Sequence, residues 1–186
     1  MKHMMKKLLG LSLAALLILS LAACGDKADS PADAGEETST QVNTLTQDAF
    51  ADYDLTLVNN FATWCGPCVH EIPYLEILAQ EYAEKGVNVI GVVLDVVNPY
   101  TGEISDAALE AVAKLREKTE ATYPFYAPDY EMFDGRLAGV SAVPETFFVD
   151  RDGNIVGETY VGARSYQEWA DIVDDEMAAL GLGDEE

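Results

Sequence analysis

The feature that most restricts the fold is a pair of cysteines, Cys65 and Cys68, between a strand-like run and a helical pattern. Residues 55–61 are β-rich, and from residue 67 onward apolar side chains recur at helical spacing. A cysteine at the start of a helix faces unpaired backbone N–H groups and the positive end of the helix dipole, which favour the thiolate. We therefore expect Cys65 to be nucleophilic, and Cys68, one turn deeper, to attack a mixed disulfide formed there.

Two other uses of the pair stay open. A structural disulfide across so short a loop would restrict the unfolded chain little. A metal site would need further ligands, and His70 is the only histidine after residue 23, with no second Cys-x-x-Cys. His70 and Glu71 could add ligands, but they would point off different sides of the helix. The pattern favours a reversible dithiol, and we expect no metal and no cofactor.

Residues 1–23 have the layout of a secretory signal peptide, with three lysines before an apolar run that begins at Leu8. The run is shorter than the roughly 20 apolar residues that cross a bilayer, so a permanent transmembrane anchor is not expected. Residues 21–25, Leu-Ala-Ala-Cys-Gly, resemble the lipobox of bacterial lipoproteins. That resemblance implies a lipid on Cys24 after cleavage; the alternative is an ordinary signal peptide followed by a free cysteine.

Composition divides the rest of the chain. Residues 24–41 are small and polar, as in a flexible linker; residues 42–182 have the usual size of one domain; and residues 183–186 form an acidic tail. After residue 23, eight Lys and Arg side chains face 33 Asp and Glu side chains. No basic patch is available for nucleic acid, and we expect a monomer that does not bind it.

Hydrophobic periodicity predicts the element order β-α-β-α-β-α-β-β-α, with the third strand and third helix short. The predicted strands cover residues 55–61, 87–97, 123–126, 146–150 and 155–160, and the predicted helices cover 67–86, 105–120, 129–137 and 165–180. Only residues 42–45 are a candidate strand before the first of these. Strands that alternate with helices and end in a hairpin predict an α/β fold with a mixed central sheet flanked by helices.

Residues 64–68, Trp-Cys-Gly-Pro-Cys, match the active-site motif of the thioredoxin superfamily, and Val143-Pro144 resembles its cis-proline. Residues 58–65, 71–73 and 143–150 further resemble the TlpA-like and ResA-like branch. The resemblance implies a thioredoxin fold with an added helix in the middle of the chain. It also implies an extracytoplasmic thiol-disulfide oxidoreductase, lipid-anchored to the bacterial cell membrane.

The resemblance also assigns roles within the motif. Cys65 would be the attacking thiol and Cys68 the resolving one, while Trp64 would shield the pair and shape the docking surface. Pro144, in cis, would pack beside the disulfide. It would leave the backbone of Val143 free to pair with a substrate strand.

Two carboxylates are further candidates. Glu71 matches a family carboxylate whose proposed role is proton exchange with Cys68, although it could equally be an ordinary acidic residue in a first helical turn. Cytosolic thioredoxins carry a buried aspartate where this chain has Asn59, which cannot relay a proton, so more weight falls on Glu71. Glu145, beside the cis-proline, is a candidate for substrate selection, and exposed loop polarity explains it nearly as well.

The leading hypothesis is a membrane-tethered enzyme that exchanges disulfides with extracytoplasmic protein substrates. Gly66-Pro67, the dipeptide found in thioredoxins, favours a reductant, as in cytochrome c maturation or envelope protein repair. A reductant outside the membrane would need a membrane-embedded electron donor. The alternatives are a thiol peroxidase of the same fold and a non-enzymatic metal-binding or chaperone lipoprotein.

Overall fold

A computed structural model describes residues 42–98 and 100–182. The predictions of a signal peptide over 1–23, a lipid on Cys24, a linker over 24–41 and an acidic tail over 183–186 lie outside the described residues. No helix within the described part of the chain is long and apolar enough to cross a membrane.

Six strands form one mixed sheet in the order β1-β4-β3-β2-β5-β6. The strands are β1 Asn43–Thr44, β2 Leu55–Phe61, β3 Val87–Val93, β4 Phe125–Ala127, β5 Glu145–Asp150 and β6 Ile155–Val161. The first four strands of this order pair in parallel, and β5 runs antiparallel to both β2 and β6. The predicted bounds of β2 agree with the structure, and the candidate strand at residues 42–45 contains β1.

Four helices accompany the sheet: α1 Gly66–Tyr82, α2 Asp106–Thr119, α3 Met132–Gly135 and α4 Tyr166–Ala179. Ser105 caps α2 by accepting a hydrogen bond from the backbone N–H of Ala108, as its position predicts. Ser165 caps α4 and forms a reciprocal capping box with Glu168. These caps fix where both helices begin.

The parallel pairing of β2 and β3 brings their carboxyl ends to one edge of the sheet. The last pair in this register is Phe61 with Val93. The prediction that β3 continues to Val97 is wrong, because β2 ends at Phe61 and offers no further partner; Val97 instead forms an isolated bridge with Ile104. The residues that follow both strands therefore meet at the same edge.

The middle of the chain differs from its predicted pattern. The third strand covers Phe125–Ala127 rather than 123–126. A regular helix over 129–137 is also wrong, because Phe133, Asp134 and Gly135 have left-handed backbone angles, which a right-handed helix cannot contain. A 3₁₀ turn, Arg136–Gly139, follows. The ring of Phe133 packs against the rings of Phe50 and Phe147, and these contacts stabilise the left-handed backbone at Phe133.

The sheet is covered on both faces. Helices α1, α2 and α4 bury one face, through side chains that include Ile72, Val112 and Trp169. The opposite face packs against Phe50 and Leu137, which lie before β2 and after α3. The β2 side chains are buried throughout, so the carboxyl end of β2 opens directly from the core onto the edge that carries the cysteines.

Candidate active site

The cysteine pair lies at the first turn of α1. Cys65 and Cys68 form a disulfide with an S–S distance of 2.04 Å. Cys65 is the N-cap of the helix, and its Sγ accepts a hydrogen bond from the backbone N–H of Cys68 at 3.3 Å. Pro67 occupies the first turn, where its missing N–H has no partner to lose. A thiolate at Cys65 would meet the same N–H group and the positive end of the helix dipole.

The Val143–Pro144 peptide bond is cis and lies beside the disulfide. The carbonyl oxygen of Val143 is 3.7 Å from Cys65 Sγ. Val143 is half-buried and Pro144 is buried, while Ser141 and Ala142 before them are exposed. A polypeptide that approaches Cys65 therefore meets the backbone of Val143 at the same time.

A groove of about 610 Å³ opens onto the disulfide. Its walls come from residues 62–67, from Leu94 and Asp95 after β3, and from residues 140–143 before the cis-proline. Cys65 lines this groove, and Trp64, 75% exposed, forms a broad aromatic rim. Both cysteines are buried, at 5% exposure for Cys65 and 1% for Cys68, but Cys65 lines the groove and Cys68 is not among its lining residues.

Glu71 lies one turn after Cys68 and is fully buried. Its Oε1 accepts hydrogen bonds from the backbone N–H of Arg164 at 2.7 Å and from Trp169 Nε1 at 2.8 Å. Its Oε2 accepts one hydrogen bond, from Asn59 Nδ2 at 3.2 Å. A carboxylate oxygen has two lone pairs, so the remaining acceptor position is on Oε2. A proton taken up by Glu71 would be held there.

Burial raises the pKa of Glu71 above its usual range, although the hydrogen bonds from Arg164, Trp169 and Asn59 act in the opposite direction. Glu76, on the same helix, shows the contrast. Burial also acts to raise its pKa, but hydrogen bonds from Thr122 and its neighbours outweigh burial and lower it. Of these two buried carboxylates, the surroundings favour the ionised form of Glu76 and disfavour the ionised form of Glu71.

Comparison with known proteins matches residues 24–172 to the family described as Redoxin. The chain belongs to the Redoxin family. The thiol-disulfide oxidoreductase ResA of Oceanobacillus iheyensis is 31% identical over 100 residues, which cover 53% of this chain and 45% of that protein. The thiol:disulfide interchange protein DsbE of Pseudomonas fluorescens biotype C is 33% identical over 149 residues, 78% of this chain and 69% of that protein. The chain spans about half the length of the ResA relatives that it matches.

Solved structures agree with this Redoxin-family assignment. A thioredoxin-family thiol:disulfide interchange protein from Chlorobium tepidum is 27% identical, with a TM-score of 0.54 over 68% of this chain and 82% of that one. A DsbF homologue from Corynebacterium diphtheriae has the same TM-score at 19% identity, over 70% and 76% of the two chains, and shows the fold alone. The predicted thioredoxin fold and the resemblance to ResA-like proteins are confirmed.

Glu145, the candidate for substrate selection, is paired within this Redoxin-family protein. Its carboxylate accepts a hydrogen bond from Arg136 at 2.9 Å, and the two form an ion pair in which Glu145 is 14% exposed. Arg136 also donates to Thr159 Oγ1 and lies over the ring of Phe147 at 4.8 Å. A substrate group that contacts Glu145 would therefore meet a carboxylate that Arg136 already neutralises.

The residues that follow Cys68 do not converge on a common point. His70 is exposed and its ring packs edge-on against Tyr74 at 5.6 Å, whereas Glu71 is buried. Over residues 42–98 and 100–182, no three His, Cys, Asp or Glu side chains are grouped as they would be around a metal ion.

Three contributors to the site were not identified from the sequence. Asp95 lines the groove, and Arg164 and Trp169 hold Glu71 from the loop before α4 and from α4 itself. Asp95 had a usable signal, since it comes two residues after a buried strand that pairs in parallel with β2. No sequence signal indicates the contacts of Arg164 and Trp169 with Glu71, because both residues lie more than 90 positions away along the chain.

The Trp169 hydrogen bond yields a testable effect on stability. The substitution Trp169→Phe should destabilise the oxidised protein by about 2 kcal/mol at pH 7, because it removes a hydrogen bond to a buried charged group. The loss should be smaller at pH 4, where Glu71 is closer to neutral and the indole N–H stabilises it less. Urea unfolding of both proteins at the two pH values measures this, and an equal loss at both would show that only ring packing is affected.

Proposed function

We propose that this protein is an extracytoplasmic, membrane-tethered thiol-disulfide oxidoreductase that reduces disulfides in protein substrates. The observation that carries the proposal is the placement of Cys65. Its sulfur opens onto a groove beside the cis-proline, while its partner Cys68 is buried one turn deeper. Disulfide exchange requires a sulfur at the wall of a groove that a substrate can enter, whereas a purely structural disulfide does not.

The proposed reaction starts from the reduced pair. The Cys65 thiolate attacks one sulfur of a substrate disulfide, forms a mixed disulfide and releases the first substrate thiolate. Cys68, deprotonated, then attacks Cys65 Sγ, which releases the second substrate thiolate and forms the Cys65–Cys68 disulfide. Two electrons pass from the protein to the substrate. A membrane-embedded dithiol donor would return the protein to its reduced form.

Glu71 is the proposed proton acceptor for the second step. It follows Cys68 by one helical turn, and its Oε2 retains the free acceptor position. Burial raises its pKa, which makes it a stronger base than an exposed carboxylate. The proton from the Cys68 thiol would pass to Glu71 and from there to the released substrate thiolate. Asn59 Nδ2 donates to both Glu71 Oε2 and Thr146 Oγ1, so Asn59 positions the carboxylate but does not relay a proton.

The proposed extracytoplasmic location, and the proposal that the protein reduces rather than oxidises its substrates, are based on the relatives and on the sequence. The curated relatives are named thiol-disulfide oxidoreductases and thiol:disulfide interchange proteins. Gly66-Pro67 favours a reductant, and the lipobox-like sequence at Cys24 supports a membrane tether. The substrates we propose are disulfides in exported proteins, as in cytochrome c maturation or envelope protein repair.

Turnover of insulin tests the proposal. The purified protein should accelerate the dithiothreitol-driven reduction of insulin well above dithiothreitol alone, because a preorganised thiolate attacks faster than a free thiol. No acceleration would contradict the proposed activity. Consumption of peroxide without insulin reduction would indicate a thiol peroxidase instead, and metal bound stoichiometrically by the reduced protein would indicate the metal-binding alternative.

A further inference from the structure

The groove beside Cys65 contains a single fixed negative charge. Asp95 is the one charged side chain among the described residues that line it. The backbone N–H of Thr63 donates to its Oδ1 and Oδ2 at 3.0 and 3.1 Å, and Thr63 Oγ1 donates to Oδ2 at 2.5 Å. Because Thr63 lies two residues before Cys65, these bonds fix the carboxylate relative to the reactive sulfur.

Among the residues that the structure describes, no cationic side chain pairs with Asp95. All its hydrogen bonds come from the neutral donors of Thr63, and within the described ranges Asp95 takes part in no ion pair. Its side chain is exposed to solvent at the groove wall. An incoming polypeptide therefore meets an uncompensated carboxylate in the same groove as the sulfur that it must reach.

The apolar surface continues beyond the groove. A second cavity of about 350 Å³ shares Leu94 and Val140 with it and is further lined by Tyr130, Leu137 and Ala138. The hydroxyl of Tyr130 donates to the carbonyl of Leu94 at 3.3 Å. Burial raises the pKa of Tyr130, and the charge of Asp95 adds to this, which places Asp95 within electrostatic reach of the second cavity as well.

We propose that Asp95 selects substrates by charge, and that the groove takes an extended segment with a Lys or Arg next to its half-cystine. The half-cystine reaches Cys65, the basic side chain pairs with Asp95, and an apolar side chain of the segment enters the second cavity. An acidic segment would instead bring like charges together beside apolar walls, where solvent screens them less. This inference rests on the proposed function and specifies its substrate class.

The charge balance of the whole chain favours the same occupant. Its 33 acidic side chains outnumber 11 basic ones, so basic segments are attracted over long range and acidic ones are repelled. Asp95 would convert this general attraction into a preference at the site of exchange. The charge of Asp95 also disfavours a thiolate at Cys65, but that effect is common to all substrates and cancels in a ratio of rates.

Two synthetic peptides, each closed by one disulfide, test the inference. They are identical except that the residues flanking one half-cystine are both Lys or both Glu. The reduced protein should reduce the Lys peptide about fivefold faster than the Glu peptide at low salt, as measured by second-order rate constants. The ratio should approach one in about 1 M salt, where charges are screened beyond roughly 3 Å.

Three variants assign the preference to Asp95. Asp95→Asn should bring the ratio of the two rates to about one. Asp52→Asn, an exposed aspartate before the opposite end of β2, should leave the ratio unchanged. Thr63→Ala removes one hydrogen bond to Asp95 but keeps the charge of Asp95. This variant should retain the Lys preference, which would show that the loss of preference in Asp95→Asn comes from the lost charge and not from a disturbed loop.

Equal reduction of both peptides by the unsubstituted protein, or a preference that survives Asp95→Asn, would overturn the inference alone. Failure to reduce either peptide would overturn the proposed function, and the inference with it.

Discussion

Replacing Cys68 by alanine should lower insulin turnover by about 1000-fold or more and leave Cys65 joined to substrate by a stable mixed disulfide. The reason is geometric. Cys65 lines the groove and can still attack a substrate disulfide. The variant lacks the Cys68 sulfur, which in the unsubstituted protein lies close enough to Cys65 to form a disulfide. An external thiol must then replace an intramolecular one. Turnover assays and intact-mass measurement of the adduct detect the two effects separately.

The matched control is Cys65→Ala. It leaves Cys68, which is 1% exposed and lies behind the groove, so this variant should form no adduct with substrate. Adduct formation through Cys68 at a comparable rate would contradict the assignment of attacking and resolving sulfurs. With an envelope extract as substrate, the Cys68→Ala adducts would also test whether exported proteins are substrates.

The parts of the site that could be predicted are those specified by local patterns. Strand β2 has its predicted bounds because its β-rich run Leu55–Phe61 is buried along its whole length between two neighbouring strands, although it contains two asparagines. The cysteines lie at a helix start because Pro67 and the following apolar spacing specify one. Caps at Ser105 and Ser165 depend only on residues three positions away.

The parts that could not be predicted depend on contacts between distant residues. The left-handed turn at Phe133 violates its local preference, and it is stabilised by rings of Phe50 and Phe147 from two other elements. The environment of Glu71 is built by Arg164 and Trp169, which no spacing rule connects with it. The sequence could therefore propose Glu71 as a proton acceptor, but not the neighbours that set its pKa.

Replacing Glu71 by glutamine is expected to slow insulin reduction about 100-fold at pH 7, the usual scale for loss of a general base. The amide is nearly isosteric, and its carbonyl can still accept from Arg164 and Trp169. Its NH₂ group would face Asn59, whose Oδ1 has no partner within the described part of the chain and can accept once the Asn59 amide turns over. The variant should therefore fold, and the loss should be one of proton transfer.

The pH dependence of stability gives a second, independent measurement on the oxidised protein, which has no free thiol in the pair. Folding raises the pKa of Glu71, so the native state binds its proton more tightly than the unfolded state. The free energy of unfolding therefore contains a term that is present at low pH and is lost as pH rises through the native pKa. The Glu71→Gln variant has no carboxyl group here and does not lose this stabilisation as pH rises. The stability of the variant relative to the unsubstituted protein should therefore improve from pH 4 to pH 8.

Glu76→Gln is the matched control, because Glu76 is a buried carboxylate on the same helix whose pKa is lowered instead. Its native-state contribution is present above the unfolded pKa and lost as pH falls, so this variant should become relatively less stable from pH 4 to pH 8. Its turnover should keep the pH profile of the unsubstituted protein, since Glu76 binds Thr122 and Tyr123 away from the cysteines. Stability curves of opposite slope, together with a rate loss confined to Glu71→Gln, would assign the proton to Glu71. Parallel slopes, or unchanged turnover in Glu71→Gln, would remove Glu71 from the mechanism.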